Sequence, residues 1–319
     1  MASGKEIRRR IKSIKNTGKI TRAMEMVSAA KMRKAIASVM AIRPYAHSAW
    51  NVLTNLARAF AGSQGGLLEV REVKKVLAIV VSSNRGLCGS FNAQIAKKVR
   101  EEILHPDKLK INRIGSKRLE SRIPNEQLVI DFVSIGRKGE NVIRRMGKNI
   151  VATFPELTYL PKIEDVRPLI RVVMDDYLAK KYDKVVVIYT DYISAIKQET
   201  KIRQLLPISK IDIEKQIAEM DVMASEYGLN EPTTPYKVEP SPQEVLEFIL
   251  PRLIEMQVYH AILESNASKE SARMVAMKNA TEAAGEMASD LTFVYNQIRQ
   301  MKITQEIAEI SAGRAALEN

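Results

Sequence analysis

The run Ser82-Ser-Asn-Arg-Gly-Leu-Cys-Gly-Ser-Phe-Asn92 carries the residue types best suited to chemistry: hydroxyls, glycines at 86 and 89, and the lone thiol of Cys88. It lies between an apolar run and a helical pattern. A glycine-containing strand–turn–helix junction can cradle phosphate on backbone N–H groups, or present a cysteine at a helix N-terminus as a nucleophile. Neither motif is complete. The spacing fits neither GxGxxG nor a GK[ST] ending, and no histidine falls where a triad partner is expected. The turn is therefore expected to serve structure or interaction. His47, His105 and His260 are scattered and Cys88 is a single cysteine, which argues against a zinc site or a disulfide framework. Asp175 and Asp176 are adjacent, and adjacent helical side chains do not share a face. No catalytic residue, metal or cofactor is expected.

The elements that position this turn follow from composition and periodicity. The chain has 319 residues, 45% hydrophobic but only 5% aromatic, a composition that favours helices over a sandwich or barrel. No stretch approaches about 20 uninterrupted apolar residues, so no membrane span is expected. The basic start, Met1 to Arg10, lacks the apolar core of a signal peptide, which leads to an expectation of an intracellular protein. Net charge is +13, and residues 1–60 hold thirteen Lys/Arg against Glu6 and Glu25. A basic element is thus attached to a nearly neutral body, and its partner surface should be acidic.

Three segments emerge. Residues 1–61 read as one long helix, with apolar residues at Ile7, Ile11 and Ile14 and then, after a phase slip around Thr17-Gly18, at Ile20, Met24, Val27 and Ala30. Residues 70–240 change rhythm. Val76 to Ser82 and Asp183 to Thr190 read as buried strands, and Phe91 to Leu104 and Asp165 to Lys181 as helices. Such alternation predicts a mostly parallel sheet covered on both faces, an α/β Rossmann-like domain. Asn230 to Pro235 reads as a loop. Residues 241–319 open on a capping box at Ser241-Pro-Gln-Glu244, with an interruption expected at Pro251. Met277, Ala280, Ala284, Met287, Leu291, Val294, Ile298 and Met301 then repeat every three or four residues, a coiled-coil pattern that continues towards Ala315. The terminal helices are expected to pair as a long antiparallel coiled coil.

Nucleic acid and an anionic membrane surface are two other partners such a basic helix could take. Aromatic interleaving and a recognition module are lacking, so nucleic acid is disfavoured. A membrane-surface helix would carry Trp, Phe or Leu where this one has Ile, Met and Ala. An acidic protein surface fits best. A nucleotide-using α/β enzyme with helical arms is the other alternative.

Several stretches together resemble the gamma subunit of rotary ATP synthases: Lys5 to Arg33, Asn84-Arg-Gly-Leu-Cys-Gly89, Ala272 to Thr281, Tyr295 to Ile307 and Glu309 to Gly313. The patterns occur in order at opposite ends of the chain. Asn84 stands where the family usually has Asp, extra residues are expected near 105–130 and 208–232, and the cysteine pair of the redox-sensitive chloroplast form is missing. The resemblance implies a central-stalk rotor subunit with no catalytic site of its own, one copy per complex. It implies partnership with alpha, beta, epsilon and delta subunits and the c-ring, at the cytoplasmic face of a bacterial plasma membrane. It also implies that Met24, Arg85 and Cys88 lie near acidic loops of the beta subunits. Arg299, Gln300, Thr304 and Glu306 would meet a beta-subunit catch loop.

Overall fold

A computed structural model describes residues 4–56, 66–114, 117–155, 157, 160–208 and 241–317. By contact density it forms two compact units: residues 1–29 with 273–319, and residues 30–272.

The larger unit is built on a five-stranded sheet. Its strands are β1 (Lys75–Val81), β4 (Val129–Ile135), β5 (Ile150–Phe154), β6 (Lys184–Tyr192) and β7 (Gln198–Leu206), in the spatial order β5-β4-β1-β6-β7. Neighbouring pairs are parallel except β6 with β7, which is antiparallel. A small hairpin of β2 (Ile111–Ile114) and β3 (Lys117–Glu120) falls within residues 105–130, where extra length was expected.

The continuous apolar run of β1 is explained by cover on both faces. Leu77, Ile79 and Val81 point into one cluster, with Leu169, Ile170 and Val173 of α5 (Ile163–Leu178) and Leu253, Ile254 and Ile262 of α6 (Pro242–Leu317). Val76, Ala78 and Val80 point into the other. Phe91, Ile95 and Val99 of α2 (Phe91–Leu104) and Ile143 of α4 (Arg137–Arg145) complete that second cluster. A four-residue turn of helix, α3 (Asp107–Lys110), leads into β2.

Both terminal helices run through their prolines. The N-terminal helix α1 spans Gly4–Leu56 with Pro44 inside, and α6 spans 76 residues with Pro251 inside. At the start of α6, Ser241 Oγ accepts the Glu244 N–H at 3.2 Å and donates to Glu244 Oε1 at 2.9 Å, so hydroxyl and carboxylate bond each other at the cap. The expected helix terminus at 62–66 falls partly, and the loop at 230–235 wholly, outside the described residues.

The part of α6 that covers the sheet is not uniformly apolar. Gln257, His260, Glu264, Ser265 and Ser268 are buried along it. Ser268 Oγ donates to Thr190 O at 3.2 Å and Ser271 Oγ to Ala195 O at 2.6 Å. His260 Nε2 lies 3.5 Å from Glu264 Oε1. Burial, with the nearby Arg203 guanidinium adding to it and Asp191 opposing, pushes the His260 imidazole down to about 3. It is held neutral.

In the smaller unit, α1 and α6 pair antiparallel. A Cβ on Gly4 would meet Tyr295 at 3.9 Å and one on Gly18 would meet Ala284 Cβ at 3.4 Å. The Thr21 and Thr281 hydroxyls are 2.7 Å apart. The buried or half-buried stripe of α1 runs Ile7, Ile11, Ile14, Gly18, Thr21, Glu25, Ser28, with no phase slip. Ile20 and Val27, expected in the seam, are 61% and 54% exposed. On α6 the stripe is Met277, Thr281, Ala284, Ala288, Leu291, Tyr295 and Ile298. Met287 and Val294, also expected there, face outward. Around Gly18 and Thr21 the seam takes small and hydroxyl-bearing residues that let two backbones approach, while Ile7, Ile11, Ile14, Leu291, Tyr295 and Ile298 fill the rest of it.

Two measurements check these assignments. Ala284→Leu would force a branched side chain against Gly18 and cost roughly 1–3 kcal/mol. Met287→Gln should stay within about 0.5 kcal/mol; the urea midpoints of the two variants should differ accordingly. For His260 the folded-state pKa is depressed, so the unfolded chain binds a proton that the folded chain refuses. Stability is therefore complete above about pH 6.5 and falls as pH drops below it, by about 1.4 kcal/mol per unit from this one group. Urea denaturation at pH 7 and pH 5 should show the decline, and His260→Leu should flatten it.

Candidate interaction surfaces

The chain leaving β1 enters the Asn84–Gly89 turn through two serines with separate tasks. Ser82 Oγ accepts the Gly139 N–H at 2.8 Å and sits 2.9 Å from Ile135 O. Ser83 Oγ lies 2.7 Å from Arg85 O, and the Ser83 backbone N–H donates to Asn92 Oδ1 at 3.3 Å. Asn84 Oδ1 accepts the Arg137 N–H at 3.1 Å. The amides at the start of α4 are thus occupied by oxygens of Ser82, Ser83 and Asn84, which joins the turn to that helix. A neutral amide oxygen at Asn84 fills that hydrogen-bonding place without a charge.

Cys88 is buried, 2% exposed, and its sulfur accepts from Asn92 Nδ2 at 3.0 Å. A thiol packed this way behaves as a small apolar core residue. It anchors the turn from inside, while Arg85 and Leu87 face outward. Leu87 is 64% exposed and adopts φ 62°, a left-handed conformation that costs a non-glycine residue on the order of 1 kcal/mol. Sequence reading missed this feature, because a leucine between Gly86 and Cys88 gives no sign of its backbone angle.

The other expected site residues lie elsewhere. Met24 is half-buried on α1. Arg299, Gln300, Thr304 and Glu306 are all exposed on the last turns of α6, and Thr304 Oγ1 donates back to Gln300 O at 3.0 Å. Arg299 and Glu306, seven residues apart, share one stripe, and Gln300 and Thr304, four apart, share another. From Arg299 through Arg314 every residue is exposed, including Met301, Ile303, Ile307 and Ile310. The seam that was expected to continue to Ala315 instead ends at Ile298 among residues whose side chains are described. Asp176 is paired with Lys181 at 3.0 Å, and Asp175 is exposed. Among the described residues, no three His, Cys, Asp or Glu side chains come within range of one metal ion.

An α/β sheet domain formed between two terminal helices that pair with each other, with exposed polar stripes near the end of the second, defines a protein that presents surfaces to partners. Comparison with known proteins gives the class a family. A family profile described as ATP synthase matches residues 3–317. The ATP synthase gamma chain of Roseiflexus castenholzii is 41% identical over 319 residues, covering 99% of each chain. That of Coxiella burnetii is 38% identical over 319 residues, covering all of both. Among solved structures, the chain is similar to one from the central stalk and c-ring of the Tetrahymena thermophila mitochondrial ATP synthase. That match has a TM-score of 0.55 at 22% identity, covering 82% of this chain and 99% of the other. The chain belongs to the ATP synthase gamma family. Its length is matched in these bacterial relatives.

Gly136 ties this geometry together: at φ 92°, a Cβ there would lie 2.5 Å from Ser82 O. Gly136→Ala is expected to destabilise the protein by about 1–3 kcal/mol. Gly147→Ala, at φ 66° with nothing within 4 Å, should cost about 1 kcal/mol. Thermal unfolding of both variants checks the order.

Proposed function

We propose that this chain is the central-stalk rotor subunit of a membrane ATP synthase, turning inside a hexamer of alpha and beta subunits and carrying no catalytic centre of its own. Membership of the gamma family supports the reading. The single observation that carries it is the exposed final stretch of α6. A helix that, among the described residues, leaves Met301, Ile303, Ile307 and Ile310 in solvent has an apolar surface that calls for a sleeve. A sleeve of apolar wall lets such a helix rotate without sticking.

In this reading the paired helices form a shaft, proposed as domains 1–61 and 241–319 flanking an α/β domain of residues 70–240. The α/β domain rests on the epsilon subunit and the c-ring, with delta elsewhere in the complex and one gamma copy per assembly. No described helix is long and apolar enough to cross a membrane. The complex is placed at the cytoplasmic face of a bacterial plasma membrane, with this chain peripheral to it. Arg299, Gln300, Thr304 and Glu306 meet a catch loop of a catalytic beta subunit. Met24, Arg85 and the turn anchored by Cys88 face the acidic loops of the beta subunits, which supply the partner that the basic helix requires.

The physical task is transmission. One charge crossing 100 mV yields about 2.3 kcal/mol, so several ion steps are needed to release one ATP. The rotor can drive that release only by stabilising different conformations of the catalytic sites to different degrees as it turns.

Co-purification tests the assembly: the chain should emerge in a stable complex with alpha, beta and epsilon polypeptides, and isolation without them would oppose the reading. Within the complex, Arg299→Ala should lower ATP-driven turnover roughly fivefold, the scale of one interface contact worth about 1 kcal/mol. Asp176→Ala should leave it nearly unchanged; equal losses would refute the catch-loop assignment.

A further inference from the structure

Where α5 faces the first turns of α6, the larger unit carries charge that the rotor reading leaves unused. Arg167, Arg171 and Met174 follow at intervals of four and three on α5, so they share one stripe. Phe248, Arg252 and Glu255 share a stripe of α6 in the same way. Between the two stripes lies a cleft of about 400 Å³, which Glu247 and Pro251 also line.

Part of this charge has a structural cause. Glu255 is 5% exposed, and a buried carboxylate needs a partner. Arg252 Nη1 donates to Glu255 Oε2 at 2.9 Å, and Arg167 Nε lies 3.5 Å from Glu255 Oε1. Two guanidiniums on one carboxylate leave a surplus of charge and of donors. The Arg167 and Arg252 side chains stay 42% and 41% exposed. Arg171 adds a third cation, which is exposed and, among the described residues, forms no ion pair. With Glu247 exposed at the same cleft, three guanidiniums face two carboxylates. Phe248 is 70% exposed beside them, and neutralising Glu255 explains neither that ring nor Arg171.

A guanidinium presents paired N–H donors in a plane that matches phosphate oxygens. An aromatic face in a concave site gives the rest of a ligand a surface on which to lie. A cleft of this volume falls at the lower end of small-ligand sites, whereas a protein partner would want a broader apolar centre. We propose that the α5–α6 cleft binds a phosphate-bearing compound. Arg171 and the uncommitted donors of Arg167 and Arg252 hold the phosphoryl oxygens, and Phe248 lies against the remainder of the molecule. The phosphate belongs either to a soluble compound such as a nucleoside diphosphate or to a lipid headgroup. This site goes beyond the rotor reading and does not depend on it.

The test uses the full chain with three probes: pyrophosphate and ADP by calorimetry, and phosphatidylglycerol vesicles by flotation. Arg171→Glu should weaken binding of at least one probe by roughly tenfold or more, the scale of a lost charge-assisted hydrogen bond. Arg171→Gln, which removes the charge without reversing it, should give a smaller loss in the same direction. Arg145→Glu, a reversal at an exposed arginine of α4, should leave that binding unchanged. Loss of pyrophosphate or ADP binding identifies a soluble ligand, and loss confined to the vesicles identifies a headgroup. Binding of none of the probes would overturn the proposal. So would binding that Arg171→Glu leaves intact, or that Arg145→Glu lowers equally, since net charge alone would then account for it.

Discussion

The smaller unit depends on close approach of two helices, and that approach is set by what the seam leaves out. Gly18 faces Ala284 with almost no side chain between them, and the Thr21 and Thr281 hydroxyls meet one step further along. Dispersion attraction falls off steeply with separation, so small residues gain in proximity what they lack in area. The hydroxyl pair adds no unsatisfied group. Whichever threonine donates across the seam, the other can donate to a carbonyl of its own helix, Gly18 O or Met277 O.

The larger unit solves a different problem. A sheet of four parallel strands with an antiparallel edge has two apolar faces, and each needs a layer. Helices α2 and α4 cover one face. On the other, α5 is joined by the stretch of α6 from Leu250 to Ile262. The same helix therefore contributes core residues to the larger unit and, from Met277 onward, seam residues to the smaller. The polar stretch between Gln257 and Ser271 shows that the cover is not simply greasy. Serine hydroxyls there bond carbonyls of β6 and of the hairpin that follows it.

Much of this was legible in the amino-acid order, and the exceptions have physical reasons. The runs Val76–Ser82 and Asp183–Thr190 announced strands because full burial on both faces demands continuous apolar residues. Phe91–Leu104 was legible as a helix to the residue. The heptad stripe was right at Met277, Ala284, Leu291 and Ile298 and wrong at Ile20, Val27, Met287 and Val294, because periodicity weighted by bulk selects these four whereas the seam takes the adjacent Thr21, Ser28, Ala288 and Tyr295. The turn at Asn84–Gly89 was recognisable as a turn. That its thiol faces inward and its leucine outward depends on Asn92, Ser83 and the backbone angle at Leu87, none of which a local pattern reports. His260 gave no signal, since burial of a lone histidine is decided by the strands against which its helix packs.

The Thr21–Thr281 contact has a mechanical consequence. Sliding one helix by a heptad would bring Gly18 and Ala284 against larger side chains and separate the two hydroxyls. A directional hydrogen bond between the two helices thereby fixes register. Such a contact acts as a detent: axial creep of one strand past the other is blocked, and load on either helix is shared by the pair as a single twisted cable.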